Sequence, residues 1–330
     1  MRFLFRALIL VVLLAIVGIG SAFYLTSKPY QGFEGERFID IPKGTSTRGI
    51  AELLQKAGVV QHGWTFLLAR AITPGAKLQA GEYRFNNPAS AQEVLNRIDR
   101  GDIFYLELVV PEGQNMFDIA KDVKRLNVFS DTAFLKAARN PASILDLDPE
   151  APSLEGYLWP DTYRLKRTTT PVQLCAAMTQ KFRSKWKELH SGANVHKVVT
   201  LASLVEREAR VPGDRPLVSS VFHNRLKEGM KLDCDPTTVY AALVENRYRG
   251  KIYRSDLANP SLWNTYKNAG LPPGPIANPG FSSLQAALHP ADTHYLYFVV
   301  KPDGSGAHTF TGSLAEHAAA TEAYRRGLTK

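Results

Sequence analysis

Cysteine is scarce. The 330-residue chain has two, Cys175 and Cys234, too few for a disulfide framework or a cysteine-rich zinc site. At most they make one bridge, and two unpaired thiols is the preferred reading. Several catalytic signatures are also missing. No HExxH motif occurs, and His289, His294 and His308 are scattered, so a metal centre has no sequence support. No GxSxG elbow marks a serine hydrolase. The basic residues are not interleaved with aromatics as in an RNA-recognition motif, so nucleic acid is not an expected partner. What is present is ordinary for a globular protein: 45% hydrophobic and 22% charged residues, enough chain for two or three units. The formal charge of +9 suits an anionic membrane face or an acidic polymer.

Near the start, Ala7 to Leu25 is a run of 19 residues without a charge, preceded by Arg2 and Arg6. Roughly 20 apolar residues cross a bilayer as a helix, and the positive-inside rule keeps the arginine end in the cytosol. Gly20 and Ala22 also fit a small-x-small cleavage site. A signal peptide's apolar region is usually about 7–15 residues, however, so an anchor is preferred. Either way the bulk of the chain lies outside the cytosol.

An internal repeat follows. Ile41-Pro42-Lys43-Gly44, Ile50-Ala51, Val59, Phe66-Leu67 and Arg70 correspond to Val110-Pro111-Glu112-Gly113, Ile119-Ala120, Val128, Phe134-Leu135 and Arg139. Each copy reads as strand, Pro-x-Gly turn and helix. Such units either bind glycans or serve as a duplicated packing module. Gly81–Phe85 alternates as a strand, 89–100 reads as a helix, and Phe104–Val110 and Tyr295–Val300 read as strands, the latter buried. Leu154–Tyr163 is aromatic and turn-like and opens a second domain. From there the pattern is mostly helical: 172–189, 216–227 ended by Gly229, and a last helix announced by the Ser313-x-x-Glu316 capping box. Residues 271–280, LPPGPIANPG, form a stiff loop suited to shape a cleft wall.

The stretch His196–Arg210, HKVVTLASLVEREAR, is the most informative. Val198, Leu201, Leu204 and Val205 share a helix face, and Glu208 continues it. Glu206 continues a polar stripe with Thr200, Ser203, Arg207 and Arg210, so it is expected to face solvent. A carboxyl on an apolar face holds its proton to higher pH, as a general acid for glycosidic cleavage must. The alternative for Glu208 is a helix-tying pair with an arginine such as Arg225. Asp233 and Asp235 read as a cap and turn, or as a second acid for a two-carboxylate glycosidase.

Taken together, Leu201–Ala209, Val221–Leu226, Asp235-Pro236-Thr237, Asn264-Thr265-Tyr266, Gly270–Ile276, Tyr295–Val299, His308-Thr309-Phe310 and Leu154–Tyr163 resemble the endolytic murein transglycosylases of the MltG (YceG-like) family. The resemblance implies an α+β chain. It would have a transmembrane anchor (1–27), a LysM-like strand–helix repeat region (28–150) and a mainly helical catalytic domain with a small sheet (151–330). It implies a single-pass inner-membrane enzyme facing the periplasm that cuts the β-1,4 MurNAc–GlcNAc bond of nascent peptidoglycan. The products carry 1,6-anhydro ends, no cofactor or metal is needed, and association with peptidoglycan synthases is expected. Within the Glu-x-Glu step it points to Glu208 as acid and then base, with Glu206 as fallback. Asn224, Asp235, Thr237, Asn264 and Tyr266 fall on motif positions and are expected to line the sugar cleft, or else to serve as polar turns and buried hydrogen bonds. A water-using muramidase and a non-catalytic wall-binding scaffold are the competing readings.

Overall fold

The computed structural model describes residues 2–327. The Arg2 side chain, enlisted above for topology, lies outside what is described. The chain mixes helices with small sheets and divides into two compact units, one ending at Leu106 and one beginning at Glu107. The boundary expected between 150 and 151 lies inside the second unit.

The first unit opens with helix α1 (Arg2–Ser27), whose 19-residue stretch Ile9–Ser27 is long and apolar enough to cross a membrane and is almost wholly unburied. Strand β1 (Arg37–Ile41), helices α2 (Thr47–Lys56) and α3 (Gly63–Ile72), strand β2 (Gly81–Phe85) and helix α4 (Ala91–Arg100) follow. Strand β1 pairs antiparallel with β2, Ile39 opposite Tyr83. The strands' inward residues Ile39, Ile41, Tyr83 and Phe85 meet Leu54, Phe66, Leu95 and Ile98 from the helices in one core. Ser90 and Glu93 close a capping box at the start of α4.

The second unit repeats the opening motif. Strand β3 (Leu106–Val110), helices α5 (Met116–Arg125) and α6 (Asp131–Ala138) reproduce β1, α2 and α3. The register is kept in detail. Ser46 and Asn115 cap α2 and α5, and the left-handed residue after each helix is Gly58 in one copy and Asn127 in the other. Strand β3 pairs with β4 (Asp161–Leu165). Then come α7 (Pro171–Glu188), α8 (Val195–Glu208), α9 (Arg215–Lys227), α10 (Asp235–Val244), the short α11 (Arg254–Leu257), α12 (Phe281–Leu288), the antiparallel hairpin β5 (Tyr297–Val300) and β6 (His308–Thr311), and α13 (Leu314–Gly327). The Ser313–Glu316 box caps α13 as its sequence indicates. Strand β5 starts two residues later than expected and all four of its residues are half-buried, not buried, in a small two-stranded hairpin against which α9 and α13 pack.

One buried hub ties the second unit together. Asn278, fully buried in the proline-rich loop, accepts the backbone N–H of Gly156 and Leu158 at Oδ1 and donates to the Gln114 carbonyl and to Glu155. Gly156 approaches so closely, with φ +88°, that a Cβ there would lie 2.4 Å from Pro275 and 2.9 Å from Val199. The 271–280 loop is therefore mostly interior, a keystone more than an open cleft wall, because its own peptide groups pair with Gly113 and Gln114 and with the side chains of Ser203 and Glu206 on α8 (Val195–Glu208).

Candidate active site

Helix α8 is buried on all sides from Val198 to Val205. The polar stripe read from the sequence is solvent-facing only at its end, where Arg207 and Arg210 are exposed: Thr200 and Ser203 are fully buried, and Ser203 Oγ donates to the Thr200 carbonyl and accepts the Ile276 N–H at 3.0 Å. Glu206 is likewise corrected. Its side chain is 6% exposed and pairs with Arg215 at 3.2 Å, while its other oxygen accepts the Gly280 N–H at 3.0 Å. The guanidinium also donates to Ser283 and lies 3.9 Å from Glu112 in the second copy's turn. Glu206 is thus fully engaged in tying α8 to α9 and the loop before α12. Helical periodicity missed this because it reports which residues share a face, not what a later segment lays over that face.

Glu208 is the last residue of α8. Burial pushes its carboxyl above the usual range, and the nearby Asp235 charge adds to this. The Cys234 hydrogen bond and the more distant Arg207 and Arg210 oppose it. The negative end of the helix dipole also disfavours the anion there. Glu208 does not pair with Arg225, whose guanidinium is taken by the carbonyls of Lys231, Leu232 and Leu296 and by Asp233.

The Cys234 thiol donates to Glu208 Oε1 at 3.1 Å. Burial, with the neighbouring Glu208, holds that thiol well above its ordinary pKa, so it stays an S–H donor. Both backbone groups of Cys234 are locked: its N–H donates to Thr265 Oγ1 and its carbonyl accepts Thr237 Oγ1 at 2.6 Å. Thr237 and Thr265 bond to each other at 2.9 Å. Asp235 follows, exposed, in the first turn of α10, and accepts the Tyr266 hydroxyl at 2.7 Å. Burial and that bond push the tyrosine's own ionisation upward.

Of the residues singled out from sequence, Glu208, Asp235, Thr237 and Tyr266 therefore gather in one hydrogen-bonded cluster. Only Asp235 and Tyr266 present surface to solvent beside the glutamate. Thr237 is fully buried and acts through Cys234. Asn264 is also fully buried. Its amide donates to the carbonyls of Asp256, Leu257 and Asn259, and its oxygen accepts the Tyr266 N–H, so it shapes the tyrosine's loop. Asn224 spends both amide hydrogens on the carbonyls of Thr293 and Tyr295, fastening the segment that leads into β5. Sequence reasoning missed Cys234 and Thr265 as members of the cluster. Each adjoins a residue it did select, and that adjacency was the available signal. Both cysteines are free and buried.

Chemically, the arrangement offers one desolvated carboxyl that holds its proton to higher pH than an ordinary glutamate, oriented by a thiol, beside an exposed carboxylate–tyrosine pair able to hydrogen-bond and stack on a sugar ring. Among the described residues, no group of three His, Cys, Asp or Glu side chains is placed to hold a metal.

A family model described as the YceG-like family matches residues 39–323. The chain is 35% identical over 309 residues to the endolytic murein transglycosylase of Bacillus subtilis strain 168, covering 87% of this chain and 84% of that protein. It is 30% identical over 294 residues to the endolytic murein transglycosylase of Streptococcus pneumoniae strain D39, covering 79% of this chain and about half, 53%, of that longer protein. Among solved structures it resembles the 2.6 Å crystal structure of a YceG-like protein from Listeria monocytogenes, with a TM-score of 0.56 and 31% identity over 87% of this chain and 99% of that one.

Proposed function

The chain belongs to the YceG-like family, and from that premise we propose that it is a lytic transglycosylase of peptidoglycan. It cuts the β-1,4 bond between N-acetylmuramic acid and N-acetylglucosamine within a strand and leaves a 1,6-anhydro end. The observation that carries the chemistry is the desolvated carboxyl of Glu208. Protonated, it gives its proton to the glycosidic oxygen as the C1–O bond breaks. As a carboxylate, it then takes the proton of the muramoyl C6 hydroxyl while that oxygen closes on C1. The glutamate ends as it began, and no water is consumed. Asp235 and Tyr266 are assigned to the sugar-contacting surface. Thr237 positions Cys234, Asn264 positions Tyr266, and Asn224 holds the hairpin segment behind them.

A second carboxylate, Asp235, near Glu208 keeps a water-using muramidase as the second reading. Mass spectrometry of products from uncrosslinked glycan separates the two. Anhydro ends are expected, and reducing ends, heavier by one water, would refute the proposal. Glu208→Gln is expected to lower turnover by about 10³-fold or more, since it removes both proton transfers. Wild-type turnover in that variant would move the role elsewhere.

We further assign α1 (within 1–27) to a single inner-membrane span with the remainder in the periplasm, supported by its apolar length and by Arg2 and Arg6 at its start. The repeat region is assigned a LysM-like, glycan-binding role on the basis of its strand–turn–helix form, strongest for the first copy within 28–150. The second copy is bound to the catalytic helix α8 through the Gly113 carbonyl, which accepts Arg207 at 3.0 Å, and its Glu112 lies 3.9 Å from Arg215 at the start of α9. Association with peptidoglycan synthases follows from a substrate that is still being extended.

A further inference from the structure

Helix α3 is apolar on both sides. Phe66 and Ala69 are fully buried in the core of the first unit. The opposite side carries Trp64, Leu68, Ala71 and Ile72, at i, i+4, i+7 and i+8 spacing, flanked by Leu67. Trp64 is 50% exposed and Ile72 42%, Ala71 is exposed and Leu68 half-buried. A surface helix in water normally turns charged residues outward. A continuous apolar stripe of this kind marks something that covers it.

The stripe's position says what covers it. Helix α3 packs against α1, the apolar helix of membrane-spanning length. A cavity of about 220 Å³ beside their junction is lined by Leu25, Lys28 and Tyr30 from the end of α1 and the segment after it, and by His62 and Trp64. Thr26 is fully buried there, and the Lys28 ammonium lies 4.5 Å from the centre of the Tyr24 ring. Trp64 stacks on His62. Tryptophan, tyrosine and lysine gathered at one end of an apolar helix are the side chains that favour the bilayer's headgroup layer. A helix packed on the last turns of a membrane span already sits at that depth.

We propose that α3 lies in the headgroup–acyl boundary of the leaflet from which α1 emerges, with Trp64, Leu68, Ala71 and Ile72 facing the acyl chains and Lys28 at the lipid phosphates. The first unit is then seated on the membrane, not merely tethered to it. This rests on the reading that α1 spans the bilayer.

The test uses the full chain reconstituted in phosphatidylethanolamine–phosphatidylglycerol vesicles containing lipids brominated near the headgroup end of the acyl chain. Bromine quenches tryptophan only at contact range. The chain has four tryptophans, so wild type is expected to lose up to about a quarter of its emission through Trp64, and Trp64→Phe to lose that part of the quenching. Ile72→Glu, which puts a charge in the stripe and leaves Trp64 in place, is expected to reduce it. Equal quenching of wild type and Trp64→Phe, in protein that resists alkaline carbonate extraction, overturns the proposal and leaves the α1 span standing. Extraction by carbonate refutes the span, and this proposal with it. Trp64 unquenched by lipid yet shielded from aqueous acrylamide would put a second copy or another protein on the stripe, which also overturns it.

Discussion

Raising the pH should weaken this protein through one carboxyl remote from solvent. Glu155 is 1% exposed and accepts the Met116 N–H at 2.9 Å and the Asn278 amide at 2.9 Å. It also shares a hydrogen bond with the buried Tyr240 hydroxyl. It thus joins the start of α5, the proline-rich loop and α10, the helix that begins at Asp235. Burial pushes its pKa from the ordinary 4.5 up to about 8, with the Met116 and Tyr240 hydrogen bonds pulling the other way. Between those two values the folded chain holds a proton that the unfolded chain has released. Stability from this group is therefore complete below about pH 4.5, falls as pH rises, and is gone above about 8. At about 1.4 kcal/mol per unit the loss amounts to roughly 3–5 kcal/mol, a large share of a typical folding free energy. Glu155→Gln abolishes the titration but turns an amide N–H toward groups that already donate, costing about 1–3 kcal/mol at every pH. The wild type should be the more stable at pH 5, and the difference should shrink or reverse by pH 9. Urea midpoints of both proteins in a non-ionic detergent at half-unit pH steps measure this. Glu208, raised in the same sense, and His317, lowered by burial, titrate in both and cancel in the difference. Parallel stability curves for the two proteins would refute the reasoning.

The active-site cluster gives a second pH expectation. Cys234→Ser replaces a weak S–H donor with a stronger O–H donor to Glu208, favouring its anion, so the alkaline limb of the pH–activity profile should move down by about half to one unit. Cys234→Ala should move it up, and limbs that coincide in all three proteins would show the contact to be idle. Glu206→Ala strands the buried Arg215 cation and should cost about 3–5 kcal/mol in thermal or urea unfolding. Cleavage per folded molecule should survive, and loss of cleavage with unchanged stability would give Glu206 the chemical role. Gly156→Ala forces a Cβ against Pro275 at a left-handed backbone and should destabilise by about 3 kcal/mol, read as a melting temperature lower by several degrees.

Much of the fold was legible in the sequence because local physics wrote it there. The uncharged run became α1, the Pro-x-Gly turns opened α2 and α5, and the capping box at Ser313 started α13, since turns, caps and helical periodicity depend on residues a few positions apart. The placement of Glu208 on an apolar face was legible for the same reason.

What tertiary structure alone decided is which polar groups are buried and by whom. Thr200, Ser203 and Glu206 sit on what reads as a wet stripe, yet Ile276, Gly280 and Arg215 close over them. Cys234 meets Glu208, and Glu155 meets Met116, Tyr240 and Asn278, across long stretches of chain. A helical period reports only the facing of a residue on its own element. The dielectric around a carboxyl, and hence its proton, is set by segments that folding brings there from elsewhere.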